Sequence, residues 1–544
     1  MAQVRQALLT VILAGILQTL GAGHKPRFFA DDPIQAMPPP PPVGTIAPVS
    51  VNRAIDFLGL AGRGESRPPT PAGAINTLGD VPDSEWFTNR HGLKRMNREQ
   101  LQRGPTSGDA PKPPFTITDR KSDGISEGFR MEDSRGRRYF AKVDPIDHPE
   151  LTTAADVIGS KFLYAIGYNT PSNEIVYLKS SDLRLSDTAR IKRIRGGTRK
   201  MAWADVEDLI DRVPRYPDGS FRIVASLAVE GEYVGPFKYE GTRWDDPNDI
   251  TPHENRRDLR GLYVFNAWIN NTDTRAGNTL DTVVEENGTR FIRHYLIDFG
   301  CALGSNGNRV KDAHSGYEFA TVSVSQSILR VFSLGVTTER WERASYPDLP
   351  GVGQFESDLF DPETWKPNLP NTAFLSSLPV DDFWAAKQVM AFTDDDIRAI
   401  VETGKYSDPR SADYVATTLA KRRDKIGKTF FSKVLPLDRF RVENQQLLFD
   451  DLAVQYGFQP SRQYKVQWSR FDNNLHTHQP IAGGDSTREE KGIGALQLPP
   501  EAGRAPEGSY FSAVIHVPGE LLNVTAYVRK EANQFKVVGV ERNW

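Results

Sequence analysis

Asp273 and Asn278 stand five residues apart in the segment Asp273-Thr274-Arg275-Ala276-Gly277-Asn278, directly after an amphipathic stretch. Ile297-Asp298-Phe299-Gly300 follows, with Asp298 20 residues beyond Asn278, across two short strand-like runs. Upstream, Tyr139-Phe140-Ala141-Lys142 sets a lysine inside an apolar segment. Phosphoryl transfer asks a protein for a cation on the nucleotide phosphates, oxygen ligands for a divalent metal, and a carboxylate near the attacking hydroxyl. Asp273 suits the hydroxyl proton. Asn278, turned back by the loop, can share with Asp298 the metal that such chemistry requires. Each fragment alone is common, because Asp and Asn favour turns and strand lysines snorkel. Their order and spacing carry the reading.

These residues need a scaffold. Phe115 to Thr118, Phe129 to Asp133 and Arg138 to Asp144 read as strands separated by turn residues. Ala154, Ile158, Phe162 and Ile166 recur at helical spacing from Thr153 to Ile166, and Gly167 supplies a stop. Asp156 on this helix is a candidate partner for Lys142, with Glu150 the second choice; Asp156 equally fits a T-x-x-D cap with Thr153. Strands follow at 175–178 and 221–229, the latter preceded by a helix near Ala204 to Asp211. A helix over 256–269 leads to the Asp273 segment, with strands at 279–284 and 291–297. Residues 380–434 read as helical, with Thr393 capping a run of three acids. The last hundred residues alternate as strands around a polar Gly/Pro-rich loop at 473–504. The fold class is α+β: a bilobal body, an irregular N-terminal extension and a small C-terminal all-β domain.

With those residues in place, the chain over about 113–440 resembles the protein-kinase-like superfamily, and within it the HipA-type, spore-coat CotH-type and secretory-pathway branches. The resemblance implies that Lys142 meets the phosphates and pairs with Asp156 or Glu150. It implies that Asp273 is the catalytic carboxylate and that Asn278 and Asp298 hold Mg²⁺ or Mn²⁺. The turn containing Gly124 and Gly128 would cover the nucleotide, and a hinge at Glu230, Glu232 and Tyr233 would meet the adenine of ATP. Asn271-Thr272 replace the His-Arg that precedes the catalytic Asp in ordinary protein kinases, and no A-P-E segment follows Gly300. The implied activity is transfer of the γ-phosphoryl of ATP to a hydroxyl on a protein, glycan or small molecule. A pseudokinase scaffold and a nucleotidyl transferase are the alternatives on the same fold.

The 544 residues carry a net charge of −3, so no nucleic-acid partner is expected, and the single cysteine, Cys301, excludes a disulfide framework. Nine histidines show no H-E-x-x-H pattern, and His476 and His478 sit in a polar loop. No G-x-S-x-G or P-loop occurs. Met1 to Gly23 has a basic n-region at Arg5, an apolar run from Ala7 to Leu17 and a small-residue exit, the pattern of a secretory signal peptide. Export to the periplasm or exterior, without a membrane span in the mature chain, is therefore expected. The domain plan is a signal peptide at 1–23, a wrap at 24–112 packed on the body through Trp86, lobes at 113–235 and 236–440, and a β domain at 441–544. A protein or envelope partner is expected on that last domain.

Overall fold

The structure is a computed structural model. It describes residues 25–50, 68–106, 110–120, 127–192, 197–320, 340–482, 486–488, 490–532 and 534–544. The signal-like segment 1–23 and Gly124 lie outside the described residues. Contacts divide the chain into two compact units, the larger of them covering Gln35–Ile75 and Val81–Lys433.

In the larger unit, helix α1 (Arg98–Arg103) precedes a seven-stranded sheet. Its strands are β1 (Phe115–Arg120), β2 (Gly128–Glu132), β3 (Arg138–Val143), β4 (Asn173–Leu178), β5 (Leu183–Lys192), β6 (Thr198–Lys200) and β7 (Phe221–Leu227). They are ordered β4-β7-β3-β2-β1-β5-β6. Side chains alternate between the faces of such a sheet. Phe129, Met131, Tyr139, Ala141, Ile223 and Ala225 enter one core. Cross-strand partners share a face, so the rows Gly128–Lys142–Val224 and Arg130–Phe140–Ser226 take the other. Helix α2 (Leu151–Ile166) packs on that second face, with Val157 against Ile175 and Val224. Helix α3 (Trp203–Ile210) closes the first core with Val206, Leu209 and Ile210.

A three-stranded antiparallel sheet of β8 (Glu232–Gly235), β9 (Thr279–Glu286) and β10 (Thr289–Leu296) flanks helix α4 (Arg257–Ile269) in sequence. Helices α5 (Thr372–Leu375), α6 (Pro379–Met390), α7 (Asp394–Glu402) and α8 (Pro409–Phe431) follow. Thr393 caps α7 through a reciprocal box with Asp396. Trp86 is buried in this unit: it stacks on His294 with centroids 3.4 Å apart and lies beneath the Arg256 guanidinium at 4.3 Å.

The smaller unit joins both ends of the described chain: residues 25–34, Asn76–Asp80 and Val434–Trp544. The break therefore falls at 433/434 rather than 440/441, because β11 (Leu437–Glu443) pairs with β12 (Gln446–Asp451). Strands β13 (Gln463–Asp472), β14 (Thr477–Pro480), β15 (Ser486–Arg488) and β16 (Ile493–Gln497) come next, so the 473–504 segment contains strands where the sequence reads as loop. With β17 (Tyr510–His516), β18 (Asn523–Glu531) and β19 (Gln534–Arg542) they form two sheets, β11-β12-β16 and β14-β13-β17-β18-β19, with β15 on β13.

The 24–112 region is not one wrap, since residues 25–34 and 76–80 belong to this smaller unit. Phe28 lies among Phe471, Tyr510 and Tyr527 at centroid distances of 5.1–6.1 Å. Phe28 N donates to Asn473 Oδ1 (2.9 Å), and Asn473 Nδ2 returns a bond to Phe28 O (2.8 Å). Phe28→Ala is expected to destabilise this unit by about 3–5 kcal/mol, the range for a buried phenylalanine. Faster amide exchange in β13, β18 and β19 is the readout; unchanged exchange there would refute the anchoring role.

Candidate active site

Lys142 projects from β3 on the α2 side, and its ammonium is almost fully buried. It donates to Asp156 and, at 2.9 Å, to Asp298 Oδ1. Burial alone pushes the ammonium down, but Asp156 and Asp298 outweigh it and hold Lys142 well above the usual lysine range. Asp156 Oδ1 in turn accepts from Asn173 Nδ2 (2.9 Å) and from Phe299 N (3.2 Å). One carboxylate thus ties β3, β4, α2 and the Asp298-Phe299-Gly300 segment together.

An aspartate reaches less far than a glutamate, so α2 must lie close. Gly159 allows this: a Cβ there would stand 2.9 Å from Phe299 Cβ. Gly128 allows a similar approach over β3, where a Cβ would meet Ala141 O at 1.9 Å. Glu150 takes no part in the ion pair. It sits at the start of α2 and accepts from Tyr216 Oη (2.9 Å) and Ser407 N (2.8 Å). Nor does Asp156 cap the helix. Asp144 does so, accepting from the backbone N–H of Thr152 and Thr153, both at 2.9 Å, and from Thr153 Oγ1 (2.7 Å). Arg222 of β7 donates to Thr153 Oγ1 (2.7 Å) and Lys405 O (2.8 Å), which fixes the start of α2 to the loop before α8.

Asp273 is positioned from below. Helix α4 ends at Asn270 in the left-handed conformation, φ 52°. Buried Arg422 of α8 donates to its terminal carbonyls, including Trp268 O at 2.9 Å. Asn278 Nδ2 donates to Asp273 O (2.7 Å), which closes the six-residue loop and leaves Asn278 Oδ1 as an oxygen ligand. Asp298 adopts φ 62°, an uncommon value outside glycine, at the turn that faces Lys142.

A cavity of about 280 Å³ brings together Lys142, Asn278, Asp298, Arg275 and Tyr233, with Leu227, Ala228 and Val229 along its edge. The connection after β7 thus borders the cavity through residues 227–229 and Tyr233, whereas Glu232 is exposed and pairs with Arg290 (3.7 Å), and Glu230 is exposed. Phe140 and Arg130, which share a face with Lys142, also line it. Among the described residues no three His, Cys, Asp or Glu side chains form a metal cage. The oxygen pair of Asp298 and Asn278 fits instead a hard cation of the Mg²⁺ type, held by few protein ligands and completed by phosphates.

Two residues escaped the sequence reading. Arg275 pairs with Asp273: Nη2 donates to Oδ2 at 3.0 Å, and Nε lies 3.0 Å from Oδ1 as an ion-pair contact. Its position two residues beyond Asp273 was the available signal. Lys311 is buried and donates to Thr272 Oγ1, beside Asp273. No local pattern marks it, because the loop that carries it in is long-range.

No protein-family model matches this chain, and no curated protein matches it. Among solved structures, a proinflammatory kinase of Helicobacter pylori, CtkA, is similar at TM-score 0.32 and 12% identity over 58% of this chain and 96% of that one. The Golgi casein kinase with Mn/ADP bound gives TM-score 0.29 and 10% identity over 62% and 74% of the two chains. The Golgi casein kinase in a second structure gives 0.30 and 9% over 64% and 84%. These scores lie below 0.5, so the functional reading rests on the geometry of the site itself. Among the described residues no helix is long and apolar enough to cross a membrane.

Lys311 offers a titration test. Burial pushes it down to about 8, against roughly 10.4 in an unfolded chain. Between those values the unfolded state binds the extra proton, so this group makes stability rise with pH. Burial pushes Cys301 up to about 12, which acts in the opposite sense, so the comparison of variants is decisive. Wild type is expected to gain stability relative to Lys311→Met between about pH 8 and 10 in urea unfolding; parallel profiles would refute it.

Proposed function

We propose that the chain is an atypical phosphotransferase of the protein-kinase-like kind, which moves the γ-phosphoryl of ATP to a hydroxyl. The carrying observation is the convergence of Lys142, Asn278 and Asp298 on one cavity, which Arg275 and Gly277 also line and to which Asp273 is tied through the side chain of Asn278. Lys142, held between two carboxylates at the cavity, would meet the nucleotide phosphates. Asn278 and Asp298 would hold Mg²⁺ or Mn²⁺, which neutralises phosphate charge when bound. Asp273 accepts the hydroxyl proton as the acceptor oxygen bonds to the γ-phosphorus. The bond from that phosphorus to the β,γ-bridging oxygen breaks, and ADP leaves. Arg275, which also lines the cavity, must release Asp273 for that carboxylate to work. The tripartite pattern of residues 1–23 supports export as part of the same proposal.

Thermal unfolding with ATP, with and without Mg²⁺ or Mn²⁺, tests the reading. A ligand at a hundredfold excess over its dissociation constant stabilises the folded state by about 2.7 kcal/mol. A metal-dependent rise in midpoint is expected for wild type and should vanish in Asp298→Ala. No rise with any nucleotide and metal would favour a scaffold. In a transfer assay, Asp273→Asn should lower kcat by about 10²–10⁴-fold with nucleotide binding retained. An unchanged kcat would remove Asp273 from the mechanism.

A further inference from the structure

The hairpin of β9 and β10 carries both proposed metal ligands at its open end. Asn278 directly precedes Thr279, the first residue of β9, and Asp298 lies two residues beyond Leu296, the last of β10. Ile297 N donates to Asn278 O at 3.0 Å and joins the two ends. Side chains alternate between the faces of the hairpin. Leu280 and Ile297 line the cavity, so Asp281 and His294, which are cross-strand partners, take the opposite face. Both are buried, and His294 Nδ1 lies 2.7 Å from Asp281 Oδ1. The proposed phosphoryl transfer uses neither.

An N-terminal segment covers that back face. Trp86 lies flat on the His294 imidazole, with the ring planes 14° apart. Asn169 clamps the segment to β10: its Nδ2 donates to Glu85 O (3.0 Å) and His294 O (3.1 Å), and its backbone O accepts from Leu296 N (3.0 Å). Thr88 N donates to Gly167 O at 2.9 Å, and a Cβ at Gly167 would stand 2.2 Å from the Phe87 ring. Residues 85–88 are thus held between β10 and the turn that follows α2. Farther along the same face the cover is apolar, with Val43 and Ile46 clustered on Val283 and Ile292. At the metal end it is a bonded His–Asp pair under an aromatic plate. Trp86 Nε1 and His294 Nε2 are buried and, among the described residues, make no hydrogen bond. Polar atoms in that state are costly, so burial of area alone does not account for these residue types. Their geometry does. An imidazole bonded through one nitrogen and pinned on its face has one orientation. That orientation fixes β10 against β9, and with it the separation of Asn278 from Asp298. A cation of the Mg²⁺ type tolerates little error in such a separation.

We propose that Trp86, acting through His294 and Asp281, is a positioning residue for the metal ligands, set by the N-terminal segment from the face away from the cavity. The inference rests on the phosphotransfer reading above and adds to it a control on metal use. Displacement of residues 85–88 from β10 weakens metal binding first, because two ligands of one ion need a closer tolerance than the packing of a hairpin does.

The test uses the full-length protein and titrates Mn²⁺ at fixed ATP, reading the rise in unfolding midpoint for wild type, Trp86→Phe and Trp86→Ala. Loss of an aromatic contact of this kind corresponds to about a tenfold change in an equilibrium constant. Trp86→Ala is therefore expected to need about tenfold more Mn²⁺ for half of the rise, with the full rise recovered in excess metal. Trp86→Phe keeps a ring on His294 and should stay within about twofold of wild type. In the metal-free protein, Trp86→Ala should also speed amide exchange at residues 278–280 and 296–298 while β2 and β3 exchange as before. Trp86→Leu, which keeps apolar bulk without a flat face, replaces Trp86→Ala if the latter does not fold. Lower stability without ligand, but an unchanged Mn²⁺ requirement and unchanged hairpin exchange, would make Trp86 merely structural and overturn the assignment. A Trp86→Phe protein as weak in Mn²⁺ as Trp86→Ala would overturn it too. A wild type with no metal-dependent rise would instead bring down the phosphotransfer reading, and the exchange comparison, which needs no ligand, would then decide whether Trp86 holds the hairpin.

Discussion

A buried ammonium between two carboxylates governs the larger unit. Removing a charge from water costs several kcal/mol, and a partner recovers that only in good geometry with its remaining lone pairs bonded. Lys142 meets this requirement through Asp156 and Asp298. The bonds from Asn173 and Phe299 to Asp156 complete the arrangement, and each comes from a different element. The position of α2 is thereby fixed from three directions, and the small residue at 159 becomes a requirement of packing rather than an accident of composition. The same helix is fixed at its start, where Asp144 caps it and Arg222 joins it to the loop before α8. Asp156 is thus held in place by the fold itself, within one unit.

The parts of this arrangement that are local in sequence were legible there. Alternation marked β2, β3 and β7, helical spacing marked α2 and α4, and the Asp273–Asn278 loop and Asp298 turn were recognisable from residue type and separation. The choice between Asp156 and Glu150 was not, because it depends on how closely α2 approaches the sheet. Strand β5 escaped because its burial is irregular and much of it is exposed, so no clean period of two is present. The loop at 473–504 reads as polar because β14 is exposed along its length. Which residues after β7 border the cavity, 227–229 and Tyr233, depends on where β7 stops pairing, and that is not read from residue type. The contact of Lys311 with Thr272 arises from chain segments brought together over a long separation, which no window along the sequence contains.

The smaller unit has a property that its strand diagram conceals. Residues 25–34 supply Phe28 to a sheet whose strands begin about 400 residues later. Synthesis runs at about 5–20 residues per second, so the N-terminal piece waits on the order of tens of seconds for its partner. During that interval Phe28 lacks the ring cluster that buries it. A chain cut short before β18 and β19 never provides that burial, however well the preceding residues fold. The unit therefore closes only once the segment that carries β18 and β19 has been made, and until then an aromatic segment stays on display to chaperones and proteases.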